Sequence, residues 1–157
     1  MDDDDRRAAA ARMEQTIREY FAACNSGDAA AVAAFFTVDG VHYFPPGMYG
    51  GPFRGGPEIG ERWATSVARI GSRWSVDHVI CDPDTHRAVI EWTHVKATDG
   101  VVLRGDEWYV FDPDSGLIRE IRAYYASPQA PDLNRLELQG FPYAERGYPQ
   151  SSGPAPA

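Results

Sequence analysis

Charged and aromatic side chains crowd together between Leu103 and Ala126, in LRGDEWYVFDPDSGLIREIRAYYA. Arg104, Asp106 and Glu107 stand beside Trp108, Tyr109 and Phe111, and Arg119, Glu120 and Arg122 follow between apolar residues. A carboxylate set among aromatics is costly to bury unless it is paired or put to use. Strand alternation sends Gly105, Glu107, Tyr109 and Phe111 to one side and Arg104, Asp106, Trp108 and Val110 to the other. With the first set inward, Glu107 is a carboxylic acid in an apolar hollow, suited to giving a proton to a reacting oxygen. The competing assignment is a structural ion pair of Glu107 with Arg104 or Arg122.

Other groups able to move or share protons are Tyr20 and the four histidines His42, His78, His86 and His94. Tyr20 can donate to a carbonyl or enolate oxygen, or serve as a core tyrosine whose hydroxyl finds a partner inside. His42 shares a strand side with Phe44 and is the first choice of base; His94, on one side with Trp92 and Lys96, is the second. His78 is a weaker candidate, and His86 falls in a turn, where solvent is its natural partner. No HxxxH or clustered His, Cys and carboxylate spacing points to a metal, and no cofactor is expected. GMYGGPFRGG, residues 47–56, lacks the lysine of a phosphate-binding loop, so its glycines are read as shaping a lip. Nor does any serine or cysteine come with a positioned base.

These groups need elements to hold them. Acidic Asp2–Asp5 and the residues up to 12 are expected to be partly frayed, although negative charge suits a helix start. Met13, Ile17, Tyr20, Phe21 and Cys24 recur at helical spacing until Asn25-Ser26-Gly27-Asp28 interrupts them. A second helix is predicted over Ala29 to Phe36, capped by Ser26 or Asp28, and a third begins at Pro57, burying Ile59, Trp63, Val67 and Ile70. Val41 to Phe44 reads as a short strand, and Met48 to Gly56 as an irregular loop or bent edge strand. Four long strands follow at Arg73–Cys81, Arg87–Lys96, Val101–Phe111 and Leu117–Ala126, joined by hairpin turns that make neighbours antiparallel. Three helices and then a meander is an α+β pattern: a curved sheet covering helices, as a cone with an open mouth. Residues 127–157 form an extension, with a helical turn predicted at 134–139 and a disordered tail at 150–157.

The chain's 157 residues make one domain, and a net charge of −8 argues against nucleic acid and anionic membranes as partners. Two cysteines without ligand spacing read as reduced thiols, and with an acidic start and no long apolar run a cytoplasmic protein is expected. Aromatics such as Trp63, Trp92, Tyr49, Phe53 and Tyr125 are more than a core of this size needs, and part of the set suits a flat, apolar ligand, the alternative being ordinary packing; an outward Trp92 or Trp108 would mark a subunit interface.

Residues 13 to 126 resemble the nuclear transport factor 2-like superfamily, above all its SnoaL-like polyketide cyclase and ketosteroid isomerase branches. The resemblance lies in Tyr20-Phe21-Ala22-Ala23-Cys24-Asn25-Ser26-Gly27-Asp28, Phe35-Phe36, Arg54-Gly55-Gly56-Pro57-Glu58-Ile59 and the Phe111 to Tyr125 hairpin. It implies a cystatin-like cone of three helices on a strongly curved, mostly antiparallel sheet. Tyr20 then matches a tyrosine that bonds a substrate oxygen, Glu107 a pocket carboxylic acid, Trp63 a pocket tyrosine and Tyr125 a pocket aromatic. Phe44 stands where the isomerases keep their catalytic aspartate, so isomerisation by that mechanism is not expected. Arg104-Gly105-Asp106 resembles an Arg-x-Asp pattern of limonene epoxide hydrolases, whose second aspartate is matched by Ala123. The implied activity is cofactor-independent acid–base chemistry of isomerase, dehydratase (lyase) or cyclase type on a small hydrophobic oxygenated substrate. The alternatives are an epoxide hydrolase-like enzyme, using Arg104 and Asp106, and a non-catalytic ligand-binding module. A homodimer through the outer sheet face is expected.

Overall fold

The first helix begins where the chain itself caps it. In the computed structural model, which describes residues 2–127 and 138–147, the Asp2 carboxylate accepts from the Asp4 and Asp5 amides at 3.0 and 2.8 Å. The acidic run expected to fray is thus the first turn of α1, Asp3–Ser26, because three carboxylates sit at the positive end of the helix dipole. Ile17, Tyr20, Phe21 and Cys24 form its buried stripe. Asn25 ties the helix to the sheet, donating to the Trp74 carbonyl and accepting from its amide, both at 2.8 Å.

Asp28 caps α2, Ala29–Ala33, which ends three residues before the predicted limit. The cause is tertiary: the Phe35 carbonyl accepts from the Ile118 amide at 2.8 Å, and Phe36 already belongs to β1, Phe36–Tyr43. Aromatic and β-branched residues at 35–38 favour that pairing over another helical turn. After β1 the chain loops to a two-residue strand β2, Phe53–Arg54, and enters α3, Gly56–Ile70. Helices α2 and α3 meet through Gly56 and Gly60, where an added Cβ would lie 2.5 Å from the Ala33 carbonyl oxygen and 2.1 Å from that of Ala29. Only glycine allows so close an approach.

The remaining strands, β3 (Ser72–Asp82), β4 (Arg87–Lys96), β5 (Val101–Phe111) and β6 (Ile118–Tyr124), form the expected meander. Sheet order is β2-β1-β6-β5-β4-β3. All neighbours are antiparallel except β1 and β6, so the sheet is mostly antiparallel, with register shifts that bend it over the helices. The core lies between sheet and helices, around Ile17, Ile59, Ile90, Tyr109, Ile118 and Ile121.

A second apolar cluster, Tyr43, Leu138 and Phe141, lies where the segment 138–147 packs back beside β1. Arg146 grips Glu120 through two hydrogen bonds, at 3.0 and 2.5 Å, while its guanidinium lies over the Phe141 ring. From there Gln139 donates its amide to the Phe44 carbonyl at 2.9 Å and accepts from the Gly47 amide at 3.4 Å. The predicted helical turn at 134–139 and the tail at 150–157 fall largely outside the described residues.

Candidate functional site

Strand register lays the inner sheet face out in rows. One row runs His42, Ile121, Tyr109, Ala88; the next Ala123, Glu107, Ile90; the next Gly105, Trp92, Val76; the last Leu103, His94, Trp74. Tyr20 and Cys24 from α1 and Trp63 from α3 face these rows, and together they enclose a hollow of about 30 Å³. That volume holds a water or two. Tyr49, Phe44, Trp74, Leu103 and Tyr125 complete the wall. Tyr49 holds a left-handed backbone, φ 56°, which is uncommon for an aromatic residue. As it stands the hollow is too small for anything much larger than water.

Glu107 points inward and is 8% exposed. Its Oε2 accepts from the Tyr109 hydroxyl at 2.6 Å, and its Oε1 lies 3.6 Å from His42 Nε2. Neither Arg104 nor Arg122 is its partner: Arg104 donates to Thr93 Oγ1 at 2.6 Å, and Arg122 lies 3.4 Å from Glu120. His42 is 1% exposed and stacks on Phe44 at 4.2 Å between ring centres. Neither of its ring nitrogens has a hydrogen-bond partner among the described residues. A buried imidazole without a hydrogen-bond partner, beside a carboxyl group, is the feature of the cavity that calls for an explanation.

The Tyr20 hydroxyl accepts from Trp63 Nε1 at 2.9 Å. Burial, then the nearby Cys24 and Glu107, pushes its pKa well above 10.0, so the hydroxyl keeps its proton as a donor at any ordinary pH. Burial likewise raises Tyr49 to about 12, with Glu107 adding to the effect, and holds the Cys24 thiol protonated. His94 has a different environment. Its Nε2 lies 2.9 Å from Ser72 Oγ, its ring stacks on Trp74 at 4.4 Å, and burial, aided by Lys96, lowers its pKa to about 4. A ring so reluctant to take a proton is a poor base at neutral pH.

Of the residues singled out from sequence, Tyr20, His42, Phe44, Trp63, His94, Glu107 and Tyr125 line the hollow. Tyr109 supports it from behind through Glu107. Arg104 and Asp106 do not belong to it. Both are exposed, on the outer face that alternation assigns them, so the Arg-x-Asp pattern is not assembled with the buried Ala123 opposite Glu107. His78 is exposed and paired with Glu91 at 2.7 Å, and His86 is also exposed. Sequence reasoning did not assign Trp74, Cys24 or Leu103 to the cavity. Cys24 was within reach, one helical turn beyond Tyr20, whereas Trp74 depends on a register bulge at Val76/His78 that no local pattern announces.

Among the described residues no three His, Cys, Asp or Glu side chains gather as a metal site requires, and no helix is long and apolar enough to cross a membrane. Helices laid against one face of a bent sheet, with an apolar hollow between them, define a cystatin-like α+β protein. The chain belongs to the SnoaL-like domain family, whose profile matches residues 17–121. A protein of unknown function with a cystatin-like fold from Methylobium petroleophilum is 53% identical, with a TM-score of 0.86 over 94% of this chain and 97% of its own. Two more distant structures share the fold. The epoxide hydrolase/cyclase-like enzyme SalBIII, described for pyran ring formation in the polyether salinomycin, is 15% identical, with a TM-score of 0.60 over 75% of this chain and 93% of its own. Bal32a, from a soil-derived mobile gene cassette, is 21% identical, with a TM-score of 0.62 over 74% and 91%. No curated protein matches the chain.

Proposed function

We propose that the protein is a cofactor-independent acid–base enzyme, moving a proton on a small apolar oxygenated molecule of polyketide, steroid or terpenoid type by isomerase, dehydratase or cyclase chemistry. The observation that carries this reading is the pairing of His42 Nε2 with Glu107 Oε1 at 3.6 Å inside an apolar hollow. Glu107 is oriented by Tyr109, which occupies Oε2 and leaves Oε1 to act. His42 and Glu107 then form a dyad between which one proton is handed, one member taking it from substrate carbon and the other returning it. Tyr20, kept neutral and donating, stabilises the charge that develops on the substrate oxygen. The protein works in the cytoplasm as a homodimer through its outer sheet face, where the register lines up Ile80, Val89 and Trp108, Ile80 being 70% and Trp108 42% exposed.

The test is exchange of the α-protons of 2-tetralone in D2O, followed by proton NMR. The wild type should accelerate exchange, Glu107→Gln should lose at least about a hundredfold of it, and His42→Gln a comparable part. Acceleration that survives unchanged in both variants would defeat the assignment. Binding of the ketone without any exchange would favour the second reading, a non-catalytic ligand-binding module, to which the His42 nitrogens, without a hydrogen-bond partner among the described residues, lend themselves equally.

A further inference from the structure

Trp92 stands one row beyond Glu107 on the inner face, next to the register partner of that residue. It is 4% exposed and lines the hollow, and its indole Nε1 has no hydrogen-bond partner among the described residues. A buried N–H without an acceptor is rare and costly in a folded protein. Trp63, the other deeply buried indole of the same cavity, has its N–H committed to Tyr20. The ring nearest Trp92 is Tyr125, at 5.4 Å and edge-on, which offers at most a weak π contact.

The strand opposite is shaped to admit this indole. Trp92 pairs across the ladder with Gly105, where a Cβ would come within 2.7 Å of Trp92 Cζ2 and 2.9 Å of Tyr125 Cβ. Any larger residue at 105 would displace the ring from the place where it lines the cavity. Two polar side chains of this face thus lack a hydrogen-bond partner among the described residues: His42, beside Glu107, and, one row on, Trp92. Successive same-face residues of a strand lie roughly 7 Å apart, and Ala123, Leu103 and Tyr125 make the surface around them apolar.

We infer that Trp92 is a ligand-binding and specificity residue whose indole N–H donates to an oxygen of the substrate. The substrate class is thereby narrowed to compact apolar molecules with two oxygen functions at opposite ends, one for Tyr20 beside the dyad and one for Trp92. This inference rests on the reading of the hollow as the ligand site.

The test uses cyclohexane-1,4-dione and 4-methylenecyclohexanone, which differ by one carbonyl oxygen replaced by a methylene group. Both are titrated into protein labelled with nitrogen-15 at the tryptophan indoles, and Trp92 is assigned by nuclear Overhauser contacts to Tyr125. The dione should bind about fivefold more tightly than its isostere, beyond the twofold statistical advantage of a symmetric ligand. It should also move the Trp92 indole proton downfield, which the assignment makes readable even if a variant fails to fold. In Trp92→Phe the preference should fall to the statistical factor. A dione that perturbs the Trp63 or Trp74 indoles but leaves Trp92 unmoved, or a preference that survives in Trp92→Phe, overturns the role of Trp92 and leaves the proposed function standing. No response from any cavity indole to either ketone overturns both.

Discussion

Replacing His94 by glutamine separates a buried structural imidazole from a catalytic base. Burial, aided by Lys96, lowers the His94 pKa from 6.5 to about 4, so the folded chain keeps the ring neutral where the unfolded chain protonates it. Between those two values the unfolded state binds more protons. Stability is therefore whole above pH 6.5 and is lost as pH falls toward 4. Each pH unit of that window is worth at most about 1.4 kcal/mol. At pH 5 the bound is ~2 kcal/mol, and solvent reaching part of the ring brings it to roughly 1 kcal/mol. Urea unfolding of wild type and His94→Gln at pH 7.5 and pH 5 measures the effect. The wild type should lose about 1 kcal/mol more than the variant between the two conditions. Loss of the stack on Trp74 weakens the variant at both pH values and drops out of the comparison. Equal losses in the two proteins would refute the reasoning. Proton exchange on 2-tetralone at neutral pH should survive the substitution, and its abolition would return His94 to the list of bases.

Gly60→Ala drives a Cβ against the Ala29 carbonyl and should cost about 2–3 kcal/mol; thermal melting should show a midpoint lower by roughly 5–10 °C, and an unchanged midpoint would mean that α2 and α3 are not held in that contact. Arg104→Gln and Asp106→Asn, both on the outer face, should each leave ketone exchange within about twofold of wild type; a large loss in either would revive the Arg-x-Asp alternative. Arg146→Met removes the paired hydrogen bonds to Glu120 and so loosens the segment that Gln139 fastens to Phe44 and Gly47. Amide hydrogen exchange around Gly47 and Tyr49 should quicken by roughly five- to tenfold while β4 and β5 stay protected. Equal protection in both proteins would show that the extension does not hold that loop.

Much of the site was legible because β5 is regular from Val101 to Val110, its register shift coming only at Phe111. A period of two then places Glu107 and Tyr109 inside and Arg104 and Asp106 outside with no tertiary information. The same rule already argued against Asp106 as a cavity residue, and geometry sides with the alternation over the motif. Helix ends were less legible. Residues 34–36 have helical neighbours on one side and a sheet partner about eighty positions away on the other, and only the fold decides between them. The closing segment left a faint trace, Leu138, Phe141 and Tyr143 in a polar stretch, too short for any period to show.

What sequence could not express is how nearly full the hollow is. Its aromatics allowed either the walls for a flat ligand or ordinary packing, and Tyr49, Phe53, Phe44 and Trp63 pack edge to face or tilted within about 4.7–6.1 Å of one another and leave space for little more than water. Packing of this kind is set by rotamers and by what presses from outside, and the closing segment is one of the neighbours that press. Gln139 bonds the backbone on either side of Pro45-Pro46, just before Tyr49, and Arg146 and Glu120 anchor its segment on the far face of the sheet. Contacts that touch neither His42 nor Glu107 thus bear on the loop that brings Tyr49 to the wall of the hollow. A substitution at Arg146 should change how fast a ketone binds more than how the dyad treats it once bound.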